Sequence, residues 1–187
     1  MRKALYILGI LDDSDANWLA TTGKARWVTT GTVIIQQGVP VDSVFIVIDG
    51  QLQVYSESVE IARLSAGEIV GEISFVDSRP PSASVKAAVD SQVLAIPKAA
   101  LRAKLQKDLK FASRFYLSLA TFLADRLRVA DARLSKGPKW EDADSRQDLD
   151  ELPAEMLENT ALASMRFDMI VKRLAAQSAG KNSGRAT

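Results

Sequence analysis

Between Arg26 and Pro97 the hydrophobic period of the chain becomes that of short β-strands, and this alternation constrains the fold more than anything else in the sequence. The runs TVIIQ, SVFIVIDG, LQVYS, EIARL, SVKAAV and QVLAIP are rich in β-branched residues and are separated by Gly, Pro, Asp and Ser. Several short strands at such spacing predict an antiparallel sandwich or barrel. Asp49-Gly50, lying between two of the runs, predicts a hairpin, because tight two-residue turns demand positive φ.

The flanks read as helices. Residues 1–24 form an N-terminal helical segment, in which Asp12-Asp13-Ser14 is an N-cap cluster ahead of Ala16-Asn17-Trp18-Leu19. After Pro97 a short basic helix covers residues 98–110 and a long one residues 111–136. Phe111, Phe115, Leu119 and Phe122 make one apolar stripe, which predicts packing against the β layer. Tyr116, Ala120, Leu123, Leu127, Ala130 and Leu134 follow at heptad spacing and make a second, narrower stripe, suited to pairing with another helix. Both stripes belong either to an intramolecular core or, for the second, to a homodimer seam. Gly137-Pro138 stops the helix.

Residues 137–160 read as an acidic linker. Glu141, Asp142, Asp144, Asp148, Asp150, Glu151, Glu155 and Glu158 outnumber Lys139 and Arg146, with a short helical stretch near Pro153-Ala154-Glu155-Met156-Leu157. Residues 161–176 form a C-terminal amphipathic helix with Ala163, Phe167, Ile170 and Leu174 on one face, docking on its own domain or on a protein partner. The tail 177–187, QSAGKNSGRAT, reads as disordered.

Composition narrows the chemistry. A chain of 187 residues, 47% hydrophobic and 25% charged, suits one globular domain with appendages. Its net charge of +1 provides no global field for nucleic acid or membrane. No apolar run approaches a membrane span, and MRKALYILGILDDSD has acids where a signal peptide needs a small-residue cleavage site; we expect a cytoplasmic protein. With neither Cys nor His there is no thiol nucleophile, imidazole base, disulfide or ordinary zinc site. We therefore expect no enzyme and no metal.

The stretch GEIVGEISFVDSRPPSASVKA, residues 67–87, carries the candidate site. Gly71 and Glu72 are followed by the small or apolar Ile73 and Ser74, then by a loop, then by Ser82-Ala83-Ser84-Val85 entering a strand. Glycine lets backbone N–H groups approach an anion. Glu72, an acid among apolar neighbours, either accepts hydrogen bonds from a sugar hydroxyl or caps loop N–H groups. The pattern resembles the phosphate-binding cassette of the cyclic nucleotide-binding domain, the family of the Crp/Fnr regulators, in which F-G-E is followed by a short loop and P-R-x-A-T-V. Gly71, Glu72, Pro80, Ala83 and Val85 match, Ser84 replaces Thr, and Ser82 matches the catabolite-activator branch. Gly31, Gly38, Gly50 and Gly67 fall at family turn positions, and the resemblance covers roughly residues 5–135.

The resemblance implies an α+β fold: an antiparallel β-roll of the jelly-roll type with N-terminal helices and a long C-terminal dimerisation helix, within a unit at 25–136. Because that helix projects from a compact roll in the family, it favours the homodimer seam. It implies a ligand site at Gly71, Glu72, Ile73, Ser74, Arg79, Ser82 and Ala83, with cAMP or another cyclic or anionic nucleotide as the ligand and no certain cofactor. Two departures qualify it. The family arginine that pairs with the cyclic phosphate aligns with Pro81, leaving Arg79 either turned inward as a substitute or lying on the surface. The helix positions that contact the purine fall at Ala130 and Asp131, of which only Asp131 offers a polar group. The segment after Lys136 shows no helix-turn-helix pattern and opens acidic, which argues against nucleic acid and a transcription regulator. The reading is a non-enzymatic ligand-sensing module acting through protein contacts; a ligand-independent adaptor with a dimeric β-roll scaffold is the alternative.

Overall fold

The computed structural model describes residues 5–136 and 154–182. Two short helices lead in, α1 (Leu5–Ile10) and α2 (Asp13–Thr22). Eight strands follow: β1 (Lys24–Val28), β2 (Val33–Ile35), β3 (Ser43–Asp49), β4 (Gln51–Ser56), β5 (Val59–Ser65), β6 (Ile69–Val70), β7 (Ser84–Ala87) and β8 (Ser91–Pro97). A one-turn helix α3 (Ile73–Val76) lies between β6 and β7, and α4 (Lys98–Lys107), α5 (Leu109–Lys136) and α6 (Ala154–Asn182) close the described chain.

The strands form two four-stranded antiparallel sheets, in the orders β1-β8-β3-β6 and β2-β7-β4-β5, and together they make a β-roll. The near-continuous apolar character of β3 and β8 follows from burial on both faces. Phe45 and Val47 of β3, with Val93 and Ala95 of β8, face the interior of the roll against Leu52, Val54, Leu64 and Val85. The alternate residues Val44, Ile46, Ile48, Leu94 and Ile96 face outward into a second core made with the helices. The strands of the other sheet keep a polar face: β4 alternates buried Leu52 and Val54 with half-buried Gln51, Gln53 and Tyr55.

Asp49-Gly50 is not the hairpin its sequence predicts. It carries the chain from one sheet to the other, because β3 and β4 lie in different sheets. Gly50 is required there for a different reason: its φ is +87°, and a Cβ would lie 2.3 Å from Ser91 Oγ. The hairpin is β4–β5, turned at Glu57-Ser58 with Glu57 at a φ of 55°.

The helices are pinned by charge as well as by apolar contact. Asp12 caps α2 by accepting from the Asp15 N–H at 2.9 Å, while Asp15 accepts from the Asp12 N–H at 3.0 Å. Asp15, 1% exposed, also takes Arg114 Nε at 2.7 Å and Nη2 at 3.0 Å, tying α2 to α5. Phe111, Phe115, Leu119 and Phe122 are buried against the roll and the N-terminal helices.

α6 departs from the expected boundaries. It begins at Ala154, inside the stretch assigned to the linker, and runs to Asn182, past the start of the expected tail. Ala154, Glu155, Met156 and Leu157 are strong helix formers, with acids at the N-terminal end where the helix dipole favours them; Ala175, Ala176 and Gln177 carry the helix on. Residues 137–153 and 183–187 lie outside the described part. α6 docks on its own chain: Ala163, Ile170 and Leu174 are buried in the helical core, and Arg166 Nη1 donates to the Leu8 and Gly9 carbonyls, both at 3.0 Å. Those carbonyls end α1, where no helical N–H follows to take them. Arg166 Nε pairs with Asp13 at 2.8 Å, and Arg173 donates to Asn17.

Candidate functional site

The site begins where β6 ends. Gly71 takes a φ of +87°, and a side chain there would meet the Ser43 carbonyl at 3.1 Å, so the turn needs glycine. The turn sends Glu72 inward at the start of α3, where it is 2% exposed. Its Oε1 receives Arg126 Nη1 of α5 at 2.6 Å. Burial pushes the Glu72 carboxyl above its ordinary range; Arg126, the backbone N–H groups of Glu72 and Ile73, and Lys98 pull the other way. The Arg126 guanidinium stands 4.7 Å from the centre of the Phe122 ring.

Behind the cassette, Ser74 Oγ donates to the Gly71 carbonyl at 3.1 Å and accepts from Lys98 Nζ at 2.8 Å. Burial holds the Lys98 ammonium below its usual value, and Arg102 lowers it further; Asp42, Asp77 and Glu72 act in the opposite sense. One turn along α4, Arg102 Nη2 reaches the Phe75 carbonyl and Ser78 Oγ, both at 3.4 Å. These two cations of α4 fasten α3 in place.

On the other side of the loop Pro81 is buried, and its carbonyl accepts from the Gly38 N–H at 2.9 Å. Ser84 Oγ accepts from the Gln37 N–H at 3.0 Å. The result is a cleft of about 390 Å³, part of it open to solvent, between the cassette, the roll and α5. Gly71, Glu72, Ile73, Ser74, Pro81, Ser82 and Ala83 line it, with Ile35, Val54, Val70 and Val85 as apolar floor and Arg126 as the contribution of α5.

Six of the residues singled out from the sequence, Gly71, Glu72, Ile73, Ser74, Ser82 and Ala83, are therefore brought together, and two are not. Arg79 is exposed and absent from the cleft; its N–H is held by Asp77 Oδ1 at 3.0 Å after Ser78 turns the chain with a φ of 59°. Of the two alternatives for Arg79, the structure shows the surface one. Asp131 is exposed and also outside the cleft, because five residues past Arg126 a helix has turned by about 140° and risen about 7.5 Å.

Arg126 is the residue that reading the cassette alone misses. Its signal was present: it continues the stripe Phe111, Phe115, Leu119, Phe122 by one more four-residue step, and so had to face the roll. The other stripe lies differently. Tyr116, Ala120 and Leu127 are exposed and Leu123 is half-buried; the side chains of Ala130 and Leu134 lie outside the described ones. Among the described residues no His, Cys, Asp and Glu cluster fit for a metal is found, and no helix is long and apolar enough to cross a membrane.

Comparison with known proteins agrees with this fold. Residues 25–108 match the family model of the cyclic nucleotide-binding domain. A 63-residue stretch, 34% of this chain, is 36% identical to the cGMP-dependent protein kinases egl-4 of Caenorhabditis briggsae and Caenorhabditis elegans. That stretch spans 8% of the length of these kinases. Among solved structures, a cyclic nucleotide-binding domain from Methylobacillus flagellatus superposes with a TM-score of 0.63 at 22% identity, over 72% of this chain and 83% of that one. The N-terminal domain of a transcriptional regulator from Streptomyces coelicolor gives 0.55 at 22% identity, over 62% and 86%. The PKAR CBD2 domain bound to Sp-2Cl-cAMPS gives 0.52 at 23% identity, over 65% and 83%.

Proposed function

We propose that this chain, whose β-roll is of the cyclic nucleotide-binding type, is a non-catalytic sensor that binds a nucleotide in the cleft beneath α5 and signals through protein contacts. The observation that carries the reading is the meeting of Gly71, Glu72, Ser82 and Ala83 with Arg126 across one cleft. The cassette provides backbone N–H groups and a buried carboxylate, and a long helix forms the opposite wall. A ligand that touches both sides favours the arrangement of α5 in which both contacts are made, and shifts the population toward it. The cAMP-analogue complex of PKAR CBD2 makes cAMP and cGMP the first ligands to try.

In this reading the exposed Tyr116, Ala120 and Leu127 form a seam with a second copy of the chain. The C-terminal segment, moved through α5, changes how the module meets its protein partner in the cytoplasm. A specific observation favours the alternative of a ligand-independent scaffold: Glu72 is already paired with Arg126, and with Pro81 at the family arginine's place and Arg79 exposed the loop brings no cation to the cleft. Calorimetric titration with cAMP, cGMP and 5′-AMP decides between them. The sensor binds at least one of them below the millimolar range, and Glu72→Ala weakens that binding; the scaffold releases no heat with any of the three.

A further inference from the structure

The cleft lacks a cation on one wall and has one on the other. Pro81 brings neither charge nor N–H to the loop, and Arg79 lies exposed outside the cleft. Arg126 lines the cleft from α5 with its side chain 29% exposed. Its Nη1 is committed to Glu72 at 2.6 Å, while among the described residues no hydrogen bond engages Nε or Nη2. A guanidinium has five donors, and its Nε–Nη2 edge matches a pair of oxygens on one oxyanion. Glu72 holds one end of the group and the Phe122 ring supports its face. Held from two sides, the free edge is preorganised, so little rotamer entropy remains to be lost when an anion arrives.

We infer that Arg126 is the anion clamp of this cleft, taking the phosphoryl oxyanion of a nucleotide from helix α5 instead of from the cassette loop. The inference rests on the sensor reading above and adds the position of the clamp. It has two consequences. The ligand's charge is gripped by α5 itself, so binding acts on the helix directly. And because a cyclic phosphodiester presents two terminal oxygens and an open 5′-monophosphate three, either satisfies the fork; the titration must separate the two sources.

The test is calorimetry on the full chain with cAMP, cGMP and 5′-AMP, comparing wild type with Arg126→Gln, Arg126→Lys and the double variant Arg126→Gln/Pro81→Arg. Wild type binds at least one of the three, and which one identifies the source. Arg126→Gln weakens that ligand at least thirtyfold, about 2 kcal/mol. Arg126→Lys, which keeps the charge on Glu72 and so guards against misfolding, weakens it about tenfold through loss of the fork. The double variant recovers part of the loss by returning a cation to the loop. Wild-type affinity in both Arg126→Gln and Arg126→Lys overturns the clamp and leaves the sensor standing. No heat from wild type with any of the three up to millimolar concentrations overturns both.

Discussion

Replacing Arg126 by Met removes the guanidinium that pairs with Glu72 at 2.6 Å and keeps most of the aliphatic stem. Glu72 is 2% exposed, so its carboxylate loses its counter-charge where water is largely excluded. Removing one partner of a buried pair costs about 3–5 kcal/mol. The Arg126 side chain is 29% exposed, so solvent softens the loss, and we expect roughly 2–3 kcal/mol near neutral pH. In a chain of this size that lowers Tm by about 4–12 °C.

The loss depends on pH in a defined direction. Burial raises the Glu72 carboxyl above its ordinary value of 4.5, with Arg126 the largest opposing influence, so Arg126→Met raises it further. An acid with a raised folded pKa binds its proton more tightly native than unfolded. The contribution of Glu72 to stability is therefore fully present below 4.5 and is lost as pH climbs through the folded value. Thermal unfolding followed by circular dichroism at pH 5 and pH 8 should show the larger Tm gap at pH 8. Glu72→Gln in the Arg126→Met background removes the stranded charge, giving a coupling of about 1.5 kcal/mol or more in a double-mutant cycle. Zero coupling, or equal losses at the two pH values, means that Arg126 does not neutralise a buried Glu72 carboxylate.

Other perturbations probe other joints of the fold. Arg114→Met strands Asp15 between α2 and α5 and should cost roughly 2–4 kcal/mol, read as an earlier urea midpoint. Gly50→Ala drives a Cβ to within 2.3 Å of Ser91 Oγ at a φ of +87°, and a loss above about 2 kcal/mol is expected by the same assay. Ile170→Ala opens a cavity beneath α6 at a fully buried position and should destabilise by about 2–5 kcal/mol while speeding proteolysis of residues 154–182. An unchanged cleavage rate contradicts the docking of α6 on α1 and α2.

The roll was legible because its signals are local: β-branched runs between turn residues, and glycines where φ must be positive. The sequence misled where a local signal serves a non-local purpose. Asp49-Gly50 has hairpin chemistry, but Gly50 is needed because Ser91, forty-one positions later, leaves no room for a Cβ. The hairpin that does form turns at Glu57-Ser58, which carries no glycine or asparagine to announce it. β6 and α3 were hidden by brevity, since two and four residues are too few to show a period. In the candidate site, the cassette residues lie together in sequence and were found together. Arg126 comes from fifty-four positions away, and only the face of α5 on which it lies connects it to Glu72.

Whether the cleft between the cassette and α5 takes a nucleotide is read from the thermal unfolding of the full chain with and without 1 mM cAMP, cGMP or 5′-AMP. A ligand present at about one hundred times its Kd stabilises the native state by about 2.7 kcal/mol, which raises Tm by about 5–11 °C. Wild type should show a rise of this kind with at least one of the three, and Glu72→Gln a smaller one. An unchanged Tm with all three means that the cleft takes none of these nucleotides and overturns the sensor.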